Sequence, residues 1–300
     1  MIVLAFTWSE FAEQVTSGLA SGAVYASLAL ALVLIYRTTR AINFAQGEMA
    51  TFTTLVAWSL MNHGLSFWEA FPIVLAIAFA GGIAIERVLI RPVETAPVLT
   101  VVILTLGLAL LLNGLMKVVW GDYDRNFKGG FSNRTVTLAG AHIAIEYLGM
   151  IGVLVAVVVL LGVFFRFTKL GLGLRAAAQN RDSSRLAGVR VGWMLGLGWG
   201  LAAAVGAIAG MMIAPIQFLG PDMMQPVLLY AFAAAILGGL DSLVGAIVGG
   251  LLLGLAIVLL GRYVGYIDSV LKLPVALALI LALLLVRPNG LFGRVVARRV

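Results

Sequence analysis

The 300-residue chain contains no cysteine and only two histidines, His63 and His142, and charged residues make up only 11% of it. Without cysteine, disulfides, thiolate metal sites and cysteine nucleophiles are excluded. Both histidines lie in polar connections, and two histidines do not make a metal site. A soluble domain of this length would carry roughly a quarter charged residues. The scarcity of charge therefore argues against a surface that faces water.

Motifs for catalysis and for nucleotide binding are missing as well. The sequence has no Gly-Lys-Ser/Thr phosphate loop, no His-Glu-x-x-His and no Gly-x-Ser-x-Gly elbow. We therefore expect no catalytic residue, metal or cofactor in this chain, and any ATP must be bound by partner subunits. The net charge of +7 does not indicate a nucleic-acid partner, because the cations lie between apolar segments.

Long apolar stretches dominate the sequence instead. Hydrophobic residues make up 62% of the chain, and the mean hydropathy is +1.09. Lipid tolerates such a composition, and a helix needs about 20 residues to cross its hydrocarbon core. Nine uncharged segments are long enough, or become so with flanking residues: Gln14–Tyr36, Met49–Trp68, Ala70–Ile85, Thr95–Met116, Tyr147–Phe165, Trp193–Pro221, Met223–Leu240, Ser242–Gly261 and Leu273–Val286.

The distribution of cations predicts the orientation. With the N-terminus outside and the segments alternating, the inner connections hold 14 of the 20 lysines and arginines and five acidic residues. The outer connections hold the remaining six cations and eight acidic residues. This asymmetry is typical of cytoplasmic loops and predicts N-out and C-in. No lysine or arginine precedes Arg37, so we expect the first segment to remain as a span.

These observations predict an all-α, polytopic transmembrane bundle of about eight or nine spans in a single domain, residues 1–300. Segments 49–62 and 223–240 are interrupted by polar or glycine-rich residues, so one or both are expected to be broken or re-entrant. Residues 120–146 are predicted to form an external loop. Residues 166–192 are predicted to form a cytoplasmic loop that contains a short helix near 174–187, parallel to the membrane.

Small residues recur at four-residue spacing in several segments. The pairs are Gly18/Gly22, Gly206/Gly210, Gly245/Gly249 and Gly250/Gly254. On a helix such pairs share one face and let two backbones approach closely in lipid. With 35 glycines in the chain, we interpret the pattern as tight bundling rather than as four dimerisation motifs.

The sharpest local motif runs from Arg37 to Glu48. In one interpretation, Asn43 and Gln46 cap the next helix, and Glu48 in its first turn faces Arg37 or Arg40. In the other, these polar side chains line a transport pathway, because amides and carboxylates inside a membrane are costly and usually functional. The pathway candidates in this motif are Asn43, Phe44, Gln46 and Glu48.

Two further segments carry candidate sites. Leu174–Gly188 is basic, rich in alanine and helical in propensity, which favours a docking helix over a plain positive-inside loop. Ala231–Ala246 predicts a half-helix, a Gly-Gly turn and a second helix that starts near Ser242. Asp241 either caps that second helix or lines the pathway, and Ser242 is a candidate beside it.

The chain resembles the permease subunits of bacterial ABC importers for branched-chain amino acids (LivH-like) over nearly its whole length. Two strings are specific: Asn-Phe-Ala-Gln-Gly-Glu at 43–48 and Arg-Pro-Asn-Gly-Leu-Phe-Gly at 287–293. The other matching stretches are 18–26, 175–188 and 231–254. Position 241 is often glycine in such relatives, so we do not expect Asp241 to be essential.

The resemblance implies an inner-membrane permease that pairs with a second, related permease subunit in the lipid bilayer. Two cytoplasmic ATPase subunits would drive it, and a periplasmic binding protein would deliver the solute. A coupling helix in such families fits a groove on the ATPase. By position, the coupling residues here are Arg175, Gln179, Arg181, Asp182, Arg185, Leu186 and Gly188.

The function that this implies is ATP-driven uptake of leucine, isoleucine and valine. Import of urea or short amides by the same machinery is the alternative within transport. A stand-alone channel or a membrane-embedded enzyme is a remote alternative. The candidate polar residues Glu48, Asn113 and Asp241 are scattered along the chain, which disfavours an enzyme.

Overall fold

The computed structural model describes residues 8–132, 134–138, 140–263, 271, 274, 275, 277, 278, 285, 287 and 290–293. Their helices are α1 (Trp8–Thr39), α2 (Gln46–Asn62), α3 (Phe67–Ile85), α4 (Val98–Trp120), α5 (Ile145–Phe167), α6 (Lys169–Gln179), α7 (Arg181–Leu186), α8 (Val191–Gln217), α9 (Met224–Gly238) and α10 (Leu243–Tyr263). A π turn (Glu86–Ile90) and a 3-10 turn (Arg91–Val93) extend α3.

Six helices of the described residues are long and apolar enough to cross a membrane: α1, α3 with its extension, α4, α5, α8 and α10. Helices α2 and α9 have 17 and 15 residues. At 1.5 Å per residue they span only about 25 and 22 Å, less than the roughly 30 Å of the hydrocarbon core. The chain is thus a polytopic helical membrane protein, whereas the count of eight or nine spans and the N-out orientation stay predictions. The segment Leu273–Val286 lies largely outside the described residues.

Contacts between helix ends show which ends lie together on one side of the bundle. The α4 residue Trp120 donates its indole N–H to Ser59 near the end of α2, and Arg262 of α10 pairs with Glu10 of α1. We call this end the outer end, following the predicted orientation. The other end, which holds α6 and α7, is called the inner end.

The expectation of an all-α chain is corrected in the predicted external loop, residues 120–146. Strands β1 (Thr135–Leu138) and β2 (Ala141–Ala144) form an antiparallel hairpin there. The β-branched residues of Thr135–Leu138 favour a strand. Gly140 has a φ of +85°, which suits a tight turn between two strands.

The predicted helix near 174–187 is corrected as well. It begins earlier, at Lys169, because the Thr168 hydroxyl accepts a hydrogen bond from the backbone N–H of Gly171 at 2.9 Å. It is divided at Asn180, whose backbone is extended with φ −153° and ψ 108°. The Asn180 side chain accepts a hydrogen bond from Ser183 N at 3.0 Å and so starts α7. An N-capping asparagine therefore overrides the continuous helical propensity of the segment.

Helix α1 lies at the centre of the bundle. Almost every residue from Ala20 to Ile35 is buried, and α1 contacts α5, α8, α9 and α10. Helices α4 and α5 lie at the periphery and expose apolar side chains such as Leu110 (77%) and Leu160 (68%), as lipid-facing helices do.

The four glycine pairs lie where helices touch inside this chain. A Cβ added at Gly250 or Gly254 would collide with the α1 backbone at Ala26 or Gly22. Gly206 and Gly210 face α2, and Gly245 and Gly249 face α9. The interpretation of the pairs as tight bundling is confirmed. Larger side chains at these positions would force the helices apart.

We predict that Gly250→Ala lowers the stability of the protein, because the added methyl group must displace the backbone of α1. The expected loss is about 1–3 kcal/mol, the usual cost of overpacking. The control is Gly152→Ala in the peripheral helix α5, where nothing lies within 4 Å of the added Cβ. Thermal unfolding of the purified protein in detergent measures both variants. Equal melting temperatures would contradict the close packing of α1 and α10.

Candidate functional site

The chain leaves helical geometry between α1 and α2 and enters the bundle as a non-helical segment, residues 40–45. Arg40 starts it with a φ of 60°, a left-handed conformation that is uncommon for a residue other than glycine. The α2 residue Gln46 bonds to Ala202. That contact lies roughly 16 Å from the start of α8 at Val191, at 1.5 Å per residue. Helix α2 therefore begins well inside the bundle.

Asn43 and Gln46 satisfy the polar groups of this segment from within the protein. Both residues are buried, with exposures of 1% and 0%. The Asn43 side-chain oxygen accepts a hydrogen bond from Ala45 N at 3.0 Å, and its amide donates to Gln46 Oε1 at 3.1 Å. Gln46 in turn donates to the carbonyl of Ala202 at 3.0 Å. Gly206 leaves the space that the Gln46 amide occupies.

Phe44 fixes the same segment to two other helices. Its backbone N–H donates to the hydroxyl of Thr105 in α4 at 3.4 Å, and its ring packs on Phe232 of α9 at 5.2 Å between centroids. The segment is therefore covered by α4, α8 and α9. Non-helical backbone at membrane depth is tolerated only with such cover or beside a water-filled cavity.

Two predicted pairings in and near this motif are wrong. Glu48 does not face Arg37 or Arg40; it accepts a hydrogen bond from Asn113 of α4 at 3.3 Å, because α2 begins far from the inner arginines. Asp241 does not cap α10. It forms an ion pair with Arg40 at 2.7 Å, which fastens the start of the non-helical segment to the turn between α9 and α10.

The cap of α10 is Ser242, whose hydroxyl accepts a hydrogen bond from Gly245 N at 2.9 Å. The predicted half-helix, glycine turn and second helix are confirmed, since α9 ends at Gly238 and α10 starts at Leu243. Gly239 makes the turn with a φ of +101°.

Glu48 belongs to a polar cluster that the sequence did not predict. Asn113 bridges Glu48 and Asp222, donating to Asp222 Oδ1 at 2.8 Å. Gln225 donates to the same oxygen at 2.7 Å, and Lys117 donates to the other Asp222 oxygen at 3.0 Å. One signal in the sequence could have indicated this cluster. It is the pair of polar residues Asn113 and Lys117 at the outer end of a long apolar stretch.

The cluster borders a cavity of about 500 Å³ at the outer end. The walls combine carboxylates and apolar side chains from the connections that follow α4 and α8. The lining residues are Asp122, Tyr123, Asp124, Gln217, Phe218, Pro221, Asp222, Met223 and Pro226. Burial alone would raise the pKa of Asp222, but hydrogen bonds from Asn113 and Lys117 outweigh it and lower the pKa. Asp222 therefore stays ionised at neutral pH.

The predicted coupling residues lie on α6, α7 and the turn after them. Arg175, Gln179, Asp182 and Gly188 are exposed, and Leu186 is 91% exposed. The buried face of this region packs Leu174 and Ala177 against the start of α8. One face is thus fixed to the bundle, and the other presents charged residues around an exposed leucine.

Arg181 and Arg185 also bind residues outside α6 and α7. The guanidinium of Arg181 donates to the carbonyl of Thr38 at the end of α1. Arg185 lies 3.5 Å from Glu94 and 3.8 Å from Asp182. These contacts fasten α7 to the inner ends of α1 and α3.

Apolar helices around a buried polar motif, with a cavity at one end and a basic surface at the other, define a polytopic membrane permease. The sequence model of the protein family described as the permease component of branched-chain amino acid transport systems matches residues 14–287. The chain therefore belongs to this family. It is 30% identical to the high-affinity branched-chain amino acid transport system permease protein LivH of Escherichia coli K12, over 95% of this chain and 96% of LivH.

More distant similarities extend beyond branched-chain amino acid permeases. The fructose import permease protein FruF of Bifidobacterium longum is 23% identical over 84% of this chain and 72% of FruF. A solved structure of PsaBC from Streptococcus pneumoniae in complex with Fab covers 93% of this chain and 92% of its own, with a TM-score of 0.50 and 16% identity. That likeness concerns the fold alone.

We predict that Gln46→Leu destabilises the protein, because it removes the bond to Ala202 and leaves the Asn43 amide only the weak acceptor Met49 Sδ. The expected loss is about 1–2 kcal/mol, the range for a buried hydrogen bond inside a membrane protein. Gln179→Leu is the control, since Gln179 is exposed at the end of α6. If both variants unfold at the wild-type temperature in detergent, the Gln46 bonds do not hold the non-helical segment in place.

Proposed function

We propose that this chain is the membrane-spanning permease of an ATP-driven importer for leucine, isoleucine and valine, in a bacterial inner membrane. The carrying observation is the similarity to LivH over nearly the whole of both chains. The solute would cross beside the buried motif, with Glu48 and the candidate residues Asn43, Phe44, Gln46, Asp241 and Ser242 bordering or shaping the pathway.

Two cytoplasmic ATPase subunits would dock on α6 and α7. The support is the exposed face of Arg175, Gln179, Asp182 and Leu186, which lies away from the face that packs Leu174 and Ala177 against α8. ATP would be bound by those subunits and not by this chain. A periplasmic binding protein would deliver the solute to the outer end.

A second, related permease subunit would cover the face formed by α4 and α9. Asp222 and Lys117 keep side-chain exposures of 48% and 34% there, and Gln225 is exposed on the short helix α9. Ionisable groups within membrane-spanning proteins face protein or water rather than lipid. This polar face supports a protein neighbour on that side, with a water-filled space left between the two subunits at the outer end.

Import of urea or a short amide is the second candidate within the same machinery. The similarity to FruF, at lower identity, supports the general point that this fold serves more than one class of solute. Uncharged solutes would not need the ionised Lys117 and Asp222 side chains beside the cavity. The charged cavity therefore favours amino acids.

The uptake experiment uses cells in which this gene is deleted and no redundant leucine importer remains. We expect uptake of labelled leucine at low external concentration to fall to background and to return with the gene on a plasmid. Labelled urea, measured in parallel, should be unaffected. Unchanged leucine uptake in the deletion strain would rule out the proposed solute.

The docking surface is tested by Leu186→Asp, which places a charge in the centre of the proposed interface. We expect at least about a tenfold loss of the ATPase that co-purifies with a tagged permease, because buried apolar anchors dominate such interfaces. Val136→Asp is the control, an equivalent change at an exposed residue of the outer hairpin. Full ATPase recovery with Leu186→Asp would place the interface elsewhere.

A further inference from the structure

The outer cavity has walls that are fixed relative to one another. Arg125 and Leu219 exchange two backbone hydrogen bonds of 2.9 Å, which join the connection after α4 to the connection after α8. Gly220 lies against the Asp124 carboxylate, where a larger residue would collide. The guanidinium of Arg125 stacks on Tyr123 at 3.8 Å from the ring centroid. A volume of about 500 Å³ falls in the range of ligand-binding pockets.

The charges beside the cavity are mixed in sign. Asp222 and Asp122 line the cavity, and Lys117 lies behind this lining between the two carboxylates, 3.0 Å from Asp222 and 3.5 Å from Asp122. All three side chains keep substantial exposure, at 34%, 48% and 64%. An exposed ion pair of this kind contributes little to stability, so its partners can be exchanged at small cost.

A zwitterionic ligand fits this exchange without changing the net charge. Its carboxylate would take the place of one aspartate on Lys117, and its ammonium group would bind the aspartate that is released. Hydrogen bonds between such charged groups are among the strongest in proteins. Phe218, Met223 and Pro226 line the same cavity and offer an apolar surface for an aliphatic side chain.

We propose that this cavity is the outer binding site for an α-amino acid, in which Lys117 binds the carboxylate and Asp222 and Asp122 bind the ammonium group. The proposal rests on the proposed function only for the class of solute. Asn113 acts as a positioning residue, because it donates both to Asp222 and to Glu48 at the start of α2. Asn113 alone thus lies between a ligand bound to Asp222 and Glu48 of the buried motif.

The absence of cysteine from the chain makes a direct test practical. Phe218→Cys places a single thiol on the cavity wall, at a residue that is 55% exposed. In the complete transporter, reconstituted in vesicles, we expect saturating leucine to slow labelling by a membrane-impermeant maleimide several-fold. Val136→Cys, exposed on the outer hairpin, should be labelled at the same rate with and without leucine.

The charge requirement is tested in the Phe218→Cys background. Lys117→Gln and Asp222→Asn should each raise the leucine concentration needed for protection by roughly tenfold or more, as expected for the loss of a charged hydrogen bond. Lys117→Arg keeps the charge and should keep protection. Glu69→Gln is the matched neutralisation elsewhere at the outer end, because glutamine preserves the capping box with Ser66.

The outcomes separate this proposal from the proposed function. Leucine uptake with no protection at Phe218→Cys, and with normal transport by Lys117→Gln, would overturn the site and leave the function intact. No leucine uptake, combined with protection by another amino acid, would overturn the solute and support the site. If Lys117→Gln and Asp222→Asn fail to assemble, protection in Lys117→Arg decides: its presence supports the site and its absence overturns it.

Discussion

The backbone of residues 40–45 is the constraint on which the rest of the bundle depends. Non-helical peptide groups inside a membrane cost several kcal/mol each when they lack partners. Here they are covered by α4, α8 and α9, and the Asn43 side chain and the Thr105 hydroxyl accept hydrogen bonds from the N–H groups of Ala45 and Phe44. The cover requires helices that approach closely, which is why small residues occupy the contacts around α1, α2 and α8.

The same segment connects the two ends of the molecule. At its inner end, Arg40 pairs with Asp241, and Thr38 just before it accepts a hydrogen bond from Arg181 of α7. At its outer end, α2 presents Glu48 to Asn113, which also holds Asp222 beside the cavity. A short chain of contacts therefore links the proposed docking surface, the buried motif and the cavity.

The helices and their packing could be predicted from the sequence because they follow from local properties. The length of an apolar stretch indicates a helix, and the spacing between glycines indicates where helices pack closely. The glycine turn before Ser242 likewise predicted the break between α9 and α10 correctly. Contacts across the bundle could not be predicted in this way. Glu48 is 65 residues from its partner Asn113, so the nearer arginines were the only partners that sequence proximity suggested.

Glu86 shows the same limitation at the inner end. Its position beside Arg87 suggests an exposed cytoplasmic connection, but Glu86 continues the buried face of Ala78 and Gly82 and lies against Gly196 of α8. There it is 1% exposed and lies 3.6 Å from Arg91. The partner Gly196 is 110 residues away in the sequence, so the charge of Glu86 and its nearest neighbours suggested exposure instead.

The contacts also indicate which parts of the molecule can move at a small cost in free energy and which cannot. Where α1 meets α10, backbone lies on backbone, and displacement would lose dense packing over several turns. The Arg40–Asp241 ion pair at the inner end is exposed, with side-chain exposures of 57% and 38%, and such a pair contributes less than about 1 kcal/mol. Movement imposed on α7 would therefore be taken up at this exposed pair and at the α9–α10 turn, while the glycine-packed helices stay in place.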